Sequence, residues 1–284
     1  MGTAPLGASV AGVSAERPFL DGLPTRIRLI EPIGRGSSAV VWRARDTHVG
    51  RDLAVKVLPP VPGLDPVLRG ERLEREARAL ARLRDIDGVV VLHEIGLAAD
   101  GSAWMVMDLA PNGSLRDRLA GRVDTSGAAS EALPLDARSL GARLATTLAH
   151  AHAVDVVHGD IAPSNVMLSA ENAPLLVDFN MAAILGDGGS DSGPSGFTPA
   201  YTAPERLRGA APDRASDVWS LATTIAAMLQ VAADEDDLGP ALVSARSSSP
   251  GARPSATDLA LLLGATSSEL PEVERQRRRF GRRR

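Results

Sequence analysis

The sequence predicts an α+β protein of two lobes, a small β-rich N-lobe with one main helix and a larger, mainly helical C-lobe. Three observations predict it. Short β-branched and aliphatic runs crowd residues 28–109. After Pro111-Asn112-Gly113 the apolar residues recur at helical rather than alternating spacing. Strands first and helices later is the α+β order, not the alternation of a parallel α/β sheet.

Residues 1–25 are rich in Gly, Ala, Ser and Pro with no period and read as a flexible leader. Strand runs follow at 28–33, 40–45 and 53–58, the first two joined by Gly34-Arg35-Gly36-Ser37-Ser38-Ala39. Pro59 to Pro66 interrupts the pattern, and 69–84, rich in Glu, Arg, Leu and Ala, reads as a helix. Runs at 89–95 and 104–109 add two strands. Leu140, Leu144, Leu148 and Ala151 mark a helix over 136–153. Residues 218–229 are almost wholly apolar but too short to span a bilayer, so they read as a buried helix. The division expected is a leader at 1–25, one domain at 26–264 (N-lobe 26–109, C-lobe 110–264) and a basic tail at 265–284. Seven arginines lie between Arg275 and Arg284.

At 284 residues, 44% hydrophobic and 23% charged, the composition is that of an ordinary soluble protein. A net charge of −4 gives no global pull toward nucleic acid, and none is expected as a partner. Zero cysteines exclude disulfides and thiolate metal sites, which fits a reducing cytoplasm. No run of about 18 apolar residues is present, and the first residues lack a secretory pattern.

Lys56 is the only lysine; every other residue of the 31 Lys and Arg is arginine. An ammonium is a compact charge, whereas arginine presents a planar fork. Within 53–58, Leu53, Val55 and Val57 point one way; Ala54, Lys56 and Leu58 point the other. A lysine beside a small alanine suits a cleft where a flat ligand covers Ala54 and an anion meets Lys56. Gly34 and Gly36 allow close backbone approach to phosphate, although a plain turn carries the same glycines. Glu76 falls on the apolar stripe of Leu73, Leu80 and Leu83, where a carboxylate needs a partner; Lys56 and Arg72 are the candidates.

His158-Gly159-Asp160-Ile161-Ala162-Pro163-Ser164-Asn165 precedes a short strand, and Asp178 closes a second apolar run thirteen residues after Asn165. Two paired strands would bring Asn165 and Asp178 together. An amide oxygen and a carboxylate are hard ligands that suit Mg²⁺. Asp160 is a candidate proton acceptor. A polar turn with capping Asp and Asn remains the alternative.

In order and spacing these segments resemble the bacterial eukaryotic-like (Hanks-type) serine/threonine protein kinase family. The likeness adds Asp178-Phe179, Thr198 through Ala203-Pro204-Glu205, Asp217-Val218-Trp219 and Arg253, and spans about 26–264. It implies a two-lobed protein-kinase-like fold, ATP and Mg²⁺ as cofactors, and protein substrates with Ser or Thr acceptors. It implies that Lys56 holds the α/β-phosphates and pairs with Glu76, that Asp178 and Asn165 hold Mg²⁺, and that Asp160 orients the acceptor hydroxyl. Gly34 and Gly36 would cover the phosphates. Ile33, Val41 and Ala54 would line the adenine slot, with Met107 as gatekeeper and Asp108-Leu109-Ala110 as hinge. Arg253 would pair with Glu205, and Asp217 would anchor the catalytic loop.

Three departures stand out. Gly159 replaces an arginine that holds phosphorylated activation loops, so activity independent of loop phosphorylation is expected. Ala162 replaces a lysine that meets the γ-phosphate, which should lower kcat. Asn180 replaces a glycine, and Asn tolerates left-handed backbone. Two alternatives stay open. One is a pseudokinase or ATP-binding scaffold. The other is a small-molecule phosphotransferase on a related fold, whose His-Gly-Asp wording is similar but which lacks counterparts of Ala203-Pro204-Glu205, Asp217 and Arg253. The arginine tail reads either as a solvated disordered end or as a contact for anionic membrane surfaces. The oligomeric state has no reading.

Overall fold

The computed structural model describes residues 20, 22–35, 39–58, 60, 71, 74–75, 77–78, 81–98, 100–121, 136–179, 198–229 and 238–272. Gly36, Glu76, Asn180 and the arginines from Arg275 to Arg284 lie outside the described residues.

Five strands form an antiparallel sheet: β1 (Ile27–Arg35), β2 (Val40–Asp46), β3 (Arg51–Leu58), β4 (Leu92–Leu97) and β5 (Ala103–Asp108), in the order β1-β2-β3-β5-β4. Central strand β3 divides its residues as the period-2 pattern requires. Leu53, Val55 and Val57 pack with Trp42, Trp104 and Val106 on one face. Ala54 packs with Met105 and Met107 on the other. Helical backbone recurs between residues 71 and 82, where one helix was expected.

The strand expected at 89–95 begins later, at Leu92. Val89 and Val90 bond across to the second lobe instead: Val90 N donates to Leu176 O (3.1 Å), and Leu176 N donates to Gly88 O (2.7 Å). The apolar run thus joins two sheets, which periodicity alone does not reveal.

The second lobe contains α1 (Leu115–Leu119), α2 (Ala137–Ala153), the hairpin β6 (Val166–Leu168) and β7 (Pro174–Leu176), α3 (Pro204–Leu207), α4 (Arg214–Leu229), α5 (Gly239–Ala245) and α6 (Ala256–Leu262). Asp136 caps α2 by accepting from Ser139 N, and Ser255 caps α6 by accepting from Asp258 N. Leu144 and Leu148 of α2 meet Leu221 and Ile225 of α4 in one core that also holds Ile161 and Phe179. The apolar run at 218–229 is therefore a buried helix, begun one turn earlier at Arg214.

Both expected edges of the domain shift outward. Leu20 and Leu23 pack against the N-lobe core although they fall in the expected leader. Leu270 is 1% exposed in the C-lobe core, and His150 Nε2 bonds Glu269 O at 2.8 Å. Packed structure runs past residue 264 because that one leucine fills a place in the core.

Candidate active site

Register in the first sheet sets the upper wall of a cleft. Val41 lies opposite Lys56, Gly34 opposite Val41, and Ala54 opposite Met107. Ala54 and Met107 share an apolar cluster with the partly buried Val41, Leu109 and Val177. β5 ends at Asp108, and Ala110, the other residue expected at the hinge, follows two positions later. Ile33 is among the exposed large hydrophobics.

Lys56 Nζ donates to Asp178 Oδ1 at 2.6 Å, joining the two lobes. The lysine side chain is 4% exposed and the aspartate 35%. Asp178 has φ +64°, a left-handed conformation that few side chains adopt. The sequence pointed to Glu76 as the lysine's partner; Glu76 is outside the described residues, and the partner seen is Asp178.

The β6–β7 hairpin performs the expected juxtaposition. Val177 N donates to Asn165 O at 3.1 Å, which sets Asp178 beside the Asn165 loop. Asn165 Nδ2 donates to Asp160 O (2.8 Å) and Asp160 Oδ2 (2.9 Å). That orientation commits the amide nitrogen to Asp160 and leaves the Asn165 amide oxygen as an acceptor. An amide oxygen beside a half-buried carboxylate is the donor set that Mg²⁺ prefers, so Asn165 and Asp178 fit that ion.

Asp160 receives a second bond, from Thr198 N to Oδ1 at 3.1 Å. Burial pushes its carboxyl above the ordinary range, while the Thr198 N–H, the nearby His158 and the Asn165 bond oppose that rise. A raised carboxyl fits a proton acceptor better than a fully stabilised one does. His158 is buried, packs against Phe179 at 4.4 Å between ring centroids with the rings tilted by 44°, and bonds Val177 O at 3.0 Å. Desolvation lowers its pKa despite the neighbouring carboxylates.

Behind the loop, Asp217 of α4 accepts from His158 N (Oδ2, 2.8 Å) and Gly159 N (Oδ1, 2.8 Å). Gly159 has φ +83°, a conformation that favours glycine. Arg253 grips Glu205 with Nη1 at 2.6 Å and Nη2 at 2.8 Å, and lies 4.9 Å over the Trp219 ring. The guanidinium holds the Glu205 carboxyl below its ordinary range.

Sequence reasoning missed several contributors. The Thr198 N–H is a backbone group and leaves no mark in the sequence. His152 bonds Asp217 Oδ2 at 3.0 Å; its place one turn after Leu148 on the buried face of α2 was the available signal. His93 bonds Asp108 Oδ1 at 2.7 Å behind the hinge, a contact made by strand order rather than spacing.

The protein kinase domain family matches residues 27–233. The chain belongs to that family. It is similar to the serine/threonine-protein kinase PknK of Mycobacterium bovis, 36% identical over 203 residues that cover 70% of this chain and 17% of the relative. It is similar to the DNA damage-responsive serine/threonine-protein kinase RqkA of Deinococcus radiodurans, 33% identical over 207 residues that cover 72% and 29%. A probable serine/threonine-protein kinase of Streptomyces coelicolor, SCO3848, is 30% identical over 213 residues that cover 72% and 30%. The chain therefore spans less than a third of the length of these relatives. The bacterial Hanks-type resemblance and the two-lobed kinase fold are both borne out. Protein kinase domains as a class use ATP and Mg²⁺.

Proposed function

We propose that this chain transfers the γ-phosphoryl group of Mg·ATP to Ser or Thr hydroxyls of protein substrates. The reading rests above all on one observation: Lys56 and Asp178 from opposite lobes meet at 2.6 Å beside a loop that holds Asp160 and Asn165 together. The named kinase relatives support it and do not favour the pseudokinase or small-molecule alternatives.

Each residue has a role of stated chemistry. Ala54, Val41, Ile33 and Met107 offer an apolar slot for the adenine ring, and the hinge at Asp108 and Ala110 offers backbone groups to its edge. Gly34 would bring its N–H toward the phosphates, with Gly36 expected to do the same. Lys56 neutralises phosphate charge, with Glu76 as its expected second partner. Asn165 and Asp178 would hold Mg²⁺, which would supply positive charge against that developing in the transfer. Asp160 orients the acceptor hydroxyl and takes its proton. Ala162 supplies no cation there, so turnover is expected below that of a kinase with lysine at that position.

The proposed domain is 26–264, extended by the packed residues up to Leu270. Among the described residues no helix is long and apolar enough to cross a membrane. Cytoplasmic residence, with the segment from Arg275 to Arg284 attracted to anionic lipid, is part of the same proposal.

The test is incubation with γ-labelled ATP, Mg²⁺ and a generic basic acceptor protein, beside Lys56→Met and Asp160→Asn. Label that depends on both residues supports the reading. Mg·ATP binding without label replaces it with a nucleotide-binding pseudokinase.

A further inference from the structure

Strand β4 departs from regular pairing at one residue. Leu92 lies opposite Met107 and Glu94 opposite Val106, so His93 is the extra residue of a β-bulge. A bulge re-aims its side chain, and this one sends His93 to Asp108, the last residue of β5. His93 Nε2 donates to Asp108 Oδ1 at 2.7 Å. Two residues before His93, Val91 O accepts from Asp108 N at 3.1 Å. One short segment, residues 91–93, therefore holds Asp108 by its backbone and by its side chain.

Arg51 is the third member of the group. Its Nη1 lies 3.6 Å from Asp108 Oδ1, and its Nη2 lies 3.3 Å from His93 Nε2. One ring nitrogen cannot give its hydrogen to Asp108 and accept one from Arg51 at the same time. The shorter distance assigns the hydrogen to the Asp108 bond. The Arg51–Asp108 pair is longer, and its side chains are 46% and 43% exposed, where an ion pair contributes little. The His93 side chain is 24% exposed. Asp108 also lines a cavity of about 400 Å³ with Asp87, Val91 and Leu175. Its carboxylate is not close-packed there, so hydrogen bonds rather than packing set where it sits.

In the kinase reading above, on which this inference rests, the hinge that meets the adenine edge begins at Asp108. Adenine presents an N6 amino donor where guanine presents the O6 acceptor. A hinge backbone fixed to receive the first leaves the second with unmatched polar groups. We propose that His93 is a positioning residue for the nucleotide, holding the hinge through Asp108 so that ATP is preferred over GTP. His93 touches no nucleotide; its effect runs through the Asp108 backbone.

The experiment measures equilibrium binding of Mg·ATP and Mg·GTP, kcat at saturating ATP, and amide exchange in wild type, His93→Leu, His93→Gln and Arg51→Met. His93→Leu should weaken ATP binding about tenfold, the upper end of what one hydrogen bond contributes. GTP binding should weaken less, so the preference narrows. Its kcat should stay within about twofold of wild type, because the adenine contacts do not change during transfer. His93→Gln, whose amide nitrogen reaches about where Nε2 lies, should recover most of the ATP affinity. Arg51→Met should bind ATP within about twofold of wild type. The Asp108 amide should exchange faster in His93→Leu, while the Val55 amide in β3 stays protected. Unchanged ATP affinity or unchanged Asp108 exchange in His93→Leu overturns the proposal. So does His93→Gln no better than His93→Leu, or an Arg51→Met loss equal to that of His93→Leu. If His93→Leu does not fold, Asp108→Ala removes the same bond from its other end, and wild-type ATP affinity in that variant overturns the proposal. Wild type that binds Mg·ATP without transferring phosphate removes the kinase reading and leaves the binding comparison in force. Wild type that binds neither nucleotide overturns both.

Discussion

Two cation–carboxylate pairs of equal length do different work in this molecule. Arg253 and Glu205 meet at 2.6 Å, as do Lys56 and Asp178. The arginine pair lies within one lobe and is held on several sides: a bidentate fork, donation to Ser247 O and Ala215 O, and the Trp219 face beneath. The lysine pair joins two lobes, and its aspartate is one-third exposed on a left-handed residue. A planar fork with four of its five N–H donors used is a fixed strut. A point charge against a reachable carboxylate can exchange partners, as a phosphate or Mg²⁺ site must. Satisfaction of the surrounding groups, not pair length, separates structure from function here.

Removing the strut is the strongest way to test that difference. Arg253→Met leaves Glu205 without its counter-ion and empties the Trp219 face. It should cost about 3–5 kcal/mol of stability in urea titrations, the usual loss when one member of a buried pair is removed. A loss under about 1 kcal/mol would erase the distinction drawn between the two pairs. Lys56→Met should do the opposite. Phosphoryl transfer should fall about 10³-fold, the scale of losing a positioned phosphate cation, while stability changes by less than about 1 kcal/mol because Asp178 can turn to water. Equal losses of stability in both variants would show that both pairs are struts.

The sequence singled out Lys56 and Asp178 separately, while its expected partner for the lysine was Glu76. A lone lysine among arginines and its period-2 neighbours placed Lys56 in a cleft before any contact was known. The hairpin pairing that joins Asn165 to Asp178 followed from two short apolar runs. Legibility ended where contacts depend on backbone groups or on chain crossings. Thr198 N on Asp160 carries no side-chain signal. Val89 looked like strand because its apolar neighbours are those of a strand, and only the pairing with Leu176 shows it as a joint between lobes. A single leucine has no period, so Leu270 reads as tail in the sequence, yet it packs into the C-lobe core.

That joint offers a test of intermediate size. Gly88 has φ +87°, and a Cβ there would lie 2.2 Å from Thr147 Oγ1. Thr147 Oγ1 donates to Asp87 O at 2.9 Å, so it is not free to swing aside. Gly88→Ala should destabilise by about 1–3 kcal/mol through strain and collision together. The double variant Gly88→Ala, Thr147→Ala should recover the steric part only, a coupling that a double-mutant cycle in urea measures. Full additivity would place the cost in the backbone alone.

The smallest effect is the pH dependence of the strut. The Arg253 bonds hold the folded Glu205 carboxyl below its ordinary value of 4.5. The unfolded chain therefore binds a proton at Glu205 more readily than the folded chain does, and stability from this group rises with pH. It is fully present above the ordinary carboxyl value and is lost as pH falls from there through the lowered folded value. Thermal melts of wild type against Glu205→Gln, taken from neutral pH down through 4.5, isolate this contribution. The gap between the two should narrow on acidification and be widest at neutral pH. Lys56→Met should leave the gap untouched, since its aspartate belongs to the cleft and not to the strut. A gap that stays constant with pH would mean that Arg253 stabilises α3 through Trp219 and the carbonyls rather than through the charge on Glu205.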